Sequence, residues 1–134
     1  MFAEIGRMIE MRVQSEIEPL IDVIYDNTMK IPKNGQTSIR VTNIGGFAQL
    51  IGGIAGNGLH RQFGTLIIEV YTPKGEGTRE NDNLCDFVAD AFRDYRLTNM
   101  RFYSPSKQRV GEERDLYHQN VNIPYQFDKC YSGS

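Results

Sequence analysis

Histidine and cysteine, the residues that typically form zinc sites, are few in this chain and stand far apart. It has two histidines, His60 and His118, and two cysteines, Cys85 and Cys130. Neither histidine lies beside a cysteine or a group of carboxylates, so the spacing of a zinc site is absent. A Gly-x-Ser-x-Gly nucleophile elbow is absent too. The sequence therefore predicts a protein that is not an enzyme and that binds no metal or cofactor.

A glycine-rich segment, residues 44–58 (IGGFAQLIGGIAGNG), is the other candidate for chemistry. A phosphate-binding loop brings backbone N–H groups close to phosphate oxygens and then requires a Lys followed by Ser or Thr. No such pair follows here, and the order of residues misses the dinucleotide fingerprint. One alternative is a flexible hairpin loop, but Phe47, Leu50, Ile51 and Ile54 are too apolar for a solvated linker. We therefore predict an arm that a neighbouring subunit orders.

Two segments near the C-terminus are predicted to provide further contacts. Residues 104–115 (SPSKQRVGEERD) carry both signs of charge, which is typical of a solvated hairpin loop or of a loop whose charges fix the register between subunits. Residues 116–127 alternate between apolar and polar side chains, so we expect an antiparallel strand with one wet face. Because Pro124 cannot donate a hydrogen bond, this strand, or that position of it, is predicted to lie at a sheet edge where subunits can pair. The interface candidates from the three segments are Phe47, Leu50, Ile51, Ile54, Lys107, Arg109, Glu112, Glu113, Arg114, His118 and Asn120.

The elements that must position these segments centre on residues 66–95. Leu66, Ile67, Ile68 and Val70 predict a buried strand, which the following Pro and Gly residues end. Thr78 is the predicted N-cap of a helix. The apolar stripe of this helix is expected to contain Leu84, Val88, Ala91, Phe92 and Tyr95.

A second amphipathic helix is predicted at the N-terminus, ending at Glu18-Pro19. Met8 and Met11 flank its apolar face and are predicted to fill gaps in the core. Residues 20–33 are compatible with a helical turn or a strand. Strands are predicted over residues 38–42, 60–71, 100–103 and 116–127, and the second of these contains the buried run described above. The stripe of the N-terminal helix is predicted to contain Phe2, Ile5, Ile9, Val13 and Ile17.

Together these elements predict a single domain over residues 1–134 with an α+β fold. We expect one mostly antiparallel sheet of about four to five strands, packed against two amphipathic helices, with long protruding loops. The net charge of -2 lacks the excess of positive charge that is typical of sequence-independent nucleic-acid binding. The two cysteines are expected to be reduced cytosolic thiols. The N-terminus does not have the pattern of a signal peptide, and no apolar run approaches the ~18 residues of a membrane-spanning helix.

In this order of elements the chain resembles the small tail-terminator (tail-completion) proteins of long-tailed bacteriophages, related to the minor tail protein U type of lambda-like phages. The stretches that carry the resemblance are MFAEIGRMIEMRV at the N-terminus, IEVYTPKGEGT at residues 68–78 and NIPYQF at residues 122–127. These stretches mark structural boundaries and contain no catalytic motif.

The resemblance implies a structural virion protein, assembled in the host cytoplasm and located in the tail or neck. It implies a ring of six copies that caps the tail tube, stops its polymerisation and presents a surface to the head connector. DNA would pass through the ring without specific binding. Two other functions remain open from the sequence: a head-closure or neck connector ring of a phage, and a cytosolic ligand-binding module that uses residues 44–58.

Overall fold

The computed structural model describes residues 1–25, 31–54, 57–75 and 78–131, without the side chains of Ile54 and Asn57. Over these residues the fold is α+β, as predicted, but the sheet has six strands instead of four to five. The elements, in chain order, are α1 (Phe2–Glu16), β1 (Val23–Tyr25), β2 (Ser38–Ile54), β3 (Asn57–Pro73), α2 (Thr78–Phe92), β4 (Met100–Phe102), β5 (Ser106–Glu113) and β6 (Leu116–Tyr131).

The sheet is mixed, with the strand order β1-β2-β3-β6-β4, and β5 pairs with β6 as well. Only the β1–β2 pair is parallel among the described strands. The short β1 resolves the ambiguity of residues 20–33 in favour of a strand, although residues 26–30 of that segment lie outside the description.

Of the two alternatives predicted for residues 116–127, an edge strand is wrong, because β6 has β3 on one side and β4 and β5 on the other. The other alternative fits, since Pro124 itself has no strand partner on the β4 and β5 side. Pro124 is tolerated because it lies opposite the gap between β4 and β5, the two strands that pair with this side of β6. β4 reaches β6 as far as the pair Phe102–Tyr125, and β5 begins at the pair Ser106–Asn122. The Pro124 carbonyl accepts a hydrogen bond from the Tyr103 backbone N–H at 2.8 Å, so the missing Pro N–H faces this gap.

One face of the sheet carries the hydrophobic core and both helices. The core side chains alternate along the strands, as in Leu66, Ile68 and Val70 of β3, because successive residues point to opposite faces. The helix α1 contributes Ile5, Ile9, Val13 and, just beyond its end, Ile17, all of which are buried. Phe2 does not join this stripe as predicted, since its side chain is 73% exposed at the first position of the helix.

The buried side of α2 is rotated relative to the predicted stripe. Leu84, Ala91 and Tyr95 are only half-buried. The predicted N-cap, Thr78, is instead the first helical residue of α2. The side chains at the centre of the buried face are Asn81, Cys85, Val88, Ala89 and Phe92.

Asn81 explains this rotation. Its amide nitrogen lies 3.0 to 3.2 Å from three acceptors, the carbonyl oxygens of Val70 and Tyr117 and the hydroxyl of Thr72. Its amide oxygen accepts a hydrogen bond from Gln119 Nε2 at 2.9 Å. One polar side chain of α2 therefore binds both central strands, and a buried amide is stable only when it is paired in this way.

Candidate subunit interfaces

The glycine-rich segment is a β-hairpin extension and not a loop. We call residues 44–58 the arm; Ala55 and Gly56 at its tip lie outside the described residues. β2 pairs with β3 from Ser38–Tyr71 to Ile54–Asn57, with irregularities between Gly45 and Ala48 and between Leu50 and Gly52. β1 covers the other edge of β2 only at residues 39–41. Beyond that point no described strand pairs with the outer edge of β2.

The arm exposes large apolar side chains to solvent. The exposed fraction is 66% for Phe47 and 60% for Leu50, and Ile51 and Ile44 are also exposed. The structure does not describe the side chain of Ile54. The ring of Phe47 has one aromatic neighbour, Phe63 of β3, at 4.9 Å between centroids. The predicted apolar contact surface is therefore presented on a strand with both faces open.

Side-chain contacts at its base hold the arm to the rest of the sheet. Tyr125 donates a hydrogen bond from its hydroxyl to Asn43 Oδ1 at 2.6 Å, crossing the sheet over Gly64. Burial raises the pKa of Tyr125, which keeps this hydroxyl a donor. Arg61 of β3 binds Asp128 of β6 through two nitrogens, at 2.8 and 3.0 Å. These contacts make the arm a continuation of the sheet.

The second predicted contact segment, residues 104–115, contains the edge strand β5, where a loop was expected. Its charges are largely matched within the chain. Lys107 Nζ lies 2.6 Å from Asp82 of α2, and Glu112 lies 3.3 Å from Lys74. Hydrogen bonds from Gln119 and Lys107 lower the pKa of Asp82. The guanidinium of Arg109 lies over the ring of Tyr117 at 5.7 Å, and Glu113 is exposed.

The turn between β5 and β6 is bound to the loop before β2. Arg114, which has a positive φ of 55°, donates a hydrogen bond to the Pro32 carbonyl at 2.8 Å. Asn34 exchanges two hydrogen bonds of 2.8 Å with Asp115, one of them from the backbone N–H of Asp115. Arg114 therefore has a structural role in the subunit, in addition to its predicted place at an interface.

His118 and Asn120 do not lie at a sheet edge, because β6 is central. The imidazole of His118 is 8% exposed and stacks on Tyr71 at 4.3 Å between centroids. Among the described residues, His118 Nε2, Asn120 Oδ1 and Ser38 Oγ are buried without a hydrogen-bond partner. Ser38, Tyr71 and His118 are consecutive cross-strand partners, so their side chains form one row on the sheet face away from the helices.

The arm and the β5–β6 turn lie at opposite ends of the sheet. The β3–β6 ladder runs from the pair Gly58–Tyr131 beside the arm tip to the pair Pro73–Leu116 beside the turn. At roughly 3.3 Å per residue this ladder spans about 50 Å. The two predicted contact segments are thus on different sides of one subunit.

Sequence reasoning missed an apolar groove on the helix side. It has a volume of about 450 Å³ and is lined by Arg7, Met8, Met11, Tyr95 and Leu97. The prediction that the two methionines fill the core is wrong for Met11, which is 60% exposed, while Met8 is half-buried. Arg12 fixes the wall of this groove, since its guanidinium lies 3.9 Å over the ring of Tyr95 and donates to the Ala91 carbonyl at 2.7 Å.

The described residues contain no group of three or more His, Cys, Asp or Glu side chains that could hold a metal ion. Cys85 and Cys130 are both free thiols. Burial raises the pKa of Cys85 to about 12, so this thiol is a poor nucleophile. Within the described part of the chain, none of the helices has the length and apolarity needed to cross a membrane.

Comparison with known proteins identifies a shared fold. No family model and no curated protein matches the chain. Eleven chains of solved structures match it, and one of them superposes with a TM-score of 0.64 and 13% sequence identity, over 91% of this chain and 94% of that one. At this identity the likeness shows the fold alone, and the name of that structure states no activity or partner.

Proposed function

We propose that this protein is a structural virion component of a long-tailed bacteriophage, a tail terminator. Six copies form a ring that caps the tail tube, ends its polymerisation and offers a surface to the head connector. The protein is not an enzyme, uses no cofactor and acts in the tail or neck of the virion. The sequence resemblance suggests this role, and the observation that carries it is the exposed apolar arm.

The arm fits a subunit that is incomplete by itself. Residues 44–58 contain no charged side chain, and Ile44, Phe47, Leu50 and Ile51 are exposed on β2. Large exposed apolar side chains gathered on one segment mark a contact site. The arm lies at one end of the sheet, so a contact with a different surface of the next copy would be heterologous. Heterologous contacts close into rings when the rotation between copies allows it.

The charges of the subunit also suit a channel through which DNA moves. Several cationic groups are paired with carboxylates inside the subunit: Arg61 with Asp128, Lys107 with Asp82, and Lys129 with Glu4. Paired cations release fewer phosphate counterions than free ones, so DNA is held less tightly. A net charge of -2 supports passage of DNA without binding.

The test is the native mass of the protein with and without tail-tube protein, by native mass spectrometry and negative-stain images. We expect a six-copy ring, alone or at tube ends. The double variant Phe47→Asp/Leu50→Asp should remain folded by circular dichroism and lose the ring. The matched control Leu20→Asp/Ile31→Asp adds the same charge at two exposed apolar residues outside the arm and should keep the ring.

Other outcomes decide against the proposal in different ways. A ring that binds an isolated head connector and ignores tail tubes would identify a neck connector protein. A monomer indifferent to both would refute the ring function. An unfolded Phe47→Asp/Leu50→Asp variant would mean that these side chains belong to the core.

A further inference from the structure

The arm needs a receiving surface on the next copy, and the strand predicted for this role is not available. From Leu116 to Phe127, β6 has β3 on one side and β4 and β5 on the other, so the strand predicted at 116–127 cannot accept a further strand. Of the two strands on the far side of β6, β4 has only three residues, and the longer β5 is guarded by Lys107, Arg109, Glu112 and Glu113. An uncharged arm gains little from a strongly charged edge, because charged side chains protect sheet edges against pairing.

The helix side offers a surface of the opposite kind. The groove between α1 and the segment after α2 is concave and is walled by Met8, Met11, Tyr95 and Leu97. Its volume of about 450 Å³ falls within the ~300–1,000 Å³ typical of sites that enclose apolar groups. Methionine side chains adapt to the shape of an apolar partner, so two of them in the wall suit a site that receives several side chains.

We infer that this groove receives the arm of a second copy of the chain. The arm supplies an apolar projection, with Phe47 beside Phe63 on one face of the hairpin and Leu50 opposite His60 on the other, and the groove supplies a concave surface. In the single subunit the arm side chains remain exposed, so the groove does not hold its own arm. An apolar projection and an apolar pocket at different places on one molecule form a heterologous contact between copies.

Polar groups of the two surfaces are complementary as well. Arg7 lies at the groove and has no ion-pair partner among the described residues. The outer edge of β2 beyond residue 41 has unpaired backbone carbonyl groups, which accept hydrogen bonds from a guanidinium. The arm has no cation that would repel Arg7 or Arg12. An acidic peptide would satisfy the arginines but not the apolar walls.

A contact of a few side chains buries less than the roughly 1,200 Å² of a stable pair of proteins, so a single contact should be weak. In a ring each copy gives one arm and receives another, and closure makes the contacts support one another. This assignment rests on the proposed ring. The experiment must therefore detect the contact separately from the ring.

Disulfide trapping provides that separation. In a Cys130→Ser background, which removes the exposed thiol, one preparation carries Leu50→Cys and another carries Met11→Cys. Variants with Phe47→Cys and Ile51→Cys cover neighbouring positions of the arm. The preparations are mixed in pairs, oxidised and analysed for linked dimers by non-reducing electrophoresis and peptide mass spectrometry. Leu20→Cys, exposed and outside the groove, replaces Met11→Cys in the control.

We expect at least one arm position to give about tenfold more linked dimer with Met11→Cys than with Leu20→Cys, the ratio that about 1.4 kcal/mol of preferential contact produces. Met11→Glu, a change at an exposed residue, should leave the fold intact and prevent ring formation. Rings without preferential linkage would overturn the groove assignment and leave the terminator function standing. Preferential linkage without rings on tubes would support the groove contact and refute the terminator function. If neither preferential linkage nor rings were observed, both the groove assignment and the terminator function would be overturned.

Discussion

Replacement of Gly64 by Ala is the sharpest test of how the arm is joined to the sheet. Gly64 lies in β3 opposite Tyr125 of β6. A Cβ atom at this position would lie 2.8 Å from Tyr125 Cε2 and closer still to its Cζ and hydroxyl. Contacts under 3.0 Å are essentially never seen for real Cβ atoms, so one of the two side chains must move.

The two effects of this substitution have opposite signs. Gly in a strand is less stable than Ala by roughly 0.5–1 kcal/mol, so the substitution alone should stabilise. The Tyr125 ring cannot move at low cost, because it is buried beside Phe102 and its hydroxyl is bonded to Asn43. Overpacking costs about 1–3 kcal/mol, and loss of the hydrogen bond costs about 1 kcal/mol. The cost of the clash exceeds the gain from replacing Gly, so we expect the free energy of unfolding to fall by about 1–3 kcal/mol.

Urea unfolding measures this loss as a lower midpoint with an unchanged slope. Gly6→Ala in α1 is the matched control, since a Cβ there meets nothing within 4 Å, and it should stabilise by about 0.5–1 kcal/mol. The double variant Gly64→Ala/Tyr125→Leu should lose less stability than the sum of the two single losses, because it removes the clash. A Gly64→Ala protein as stable as the native one would refute this account of the arm base.

Three further predictions concern α2 and its neighbours. Asn81→Ala should cost about 1–3 kcal/mol in urea unfolding, because it leaves buried partners unsatisfied, whereas the exposed Asn83→Ala should be neutral. Phe92→Ala should cost about 3–5 kcal/mol, as for a buried aromatic, and a loss below about 1 kcal/mol would contradict its place in the core. The pKa of Asp82 is lower in the folded protein than in the unfolded chain, where it is about 3.9, so the ionised carboxylate stabilises the fold above that pH. This contribution is lost as pH falls through the folded pKa. The stability difference between the native protein and Asp82→Asn should therefore shrink on acidification, and a difference independent of pH would contradict it.

Local periodicity was sufficient to predict most of the core. The spacing of Ile5, Ile9 and Val13 predicted the buried face of α1, and the run that includes Ile68 predicted a buried strand, which the structure places at the centre of the sheet. Both patterns depend on neighbours in sequence, and the residues that carry them are apolar. Asn81 was missed for the opposite reason, since a polar residue in a helix normally indicates the solvent side. Its partners, Tyr117 and Gln119, are distant in sequence.

The arm and β5 were harder to predict as strands because their strand character depends on pairing. Glycine favours turns and weakens strands, so residues 44–58 lacked a strand pattern. The irregularity between Gly45 and Ala48 also breaks the period-2 alternation of side chains. β5 consists mostly of charged and polar residues, which predict a loop when considered alone. In both cases the next strand of a hairpin, β3 or β6, supplies the order through backbone hydrogen bonds, which the residue pattern of either segment alone does not reveal.

The two outer edges of the sheet differ in a way that bears on assembly. Four of the eight residues of β5 are charged, and two of these, Lys107 and Glu112, form ion pairs within the subunit; charged side chains are the usual protection of an edge. β2 beyond residue 41 presents no charge and no proline. Its irregularities near Gly45 and Gly52 limit pairing with a further strand but leave Phe47 and Leu50 exposed. The irregularities of β2 therefore disfavour pairing with a strand of another copy, while its apolar side chains remain available. A partner would have to bind these side chains themselves, as the groove beside α1 is inferred to do.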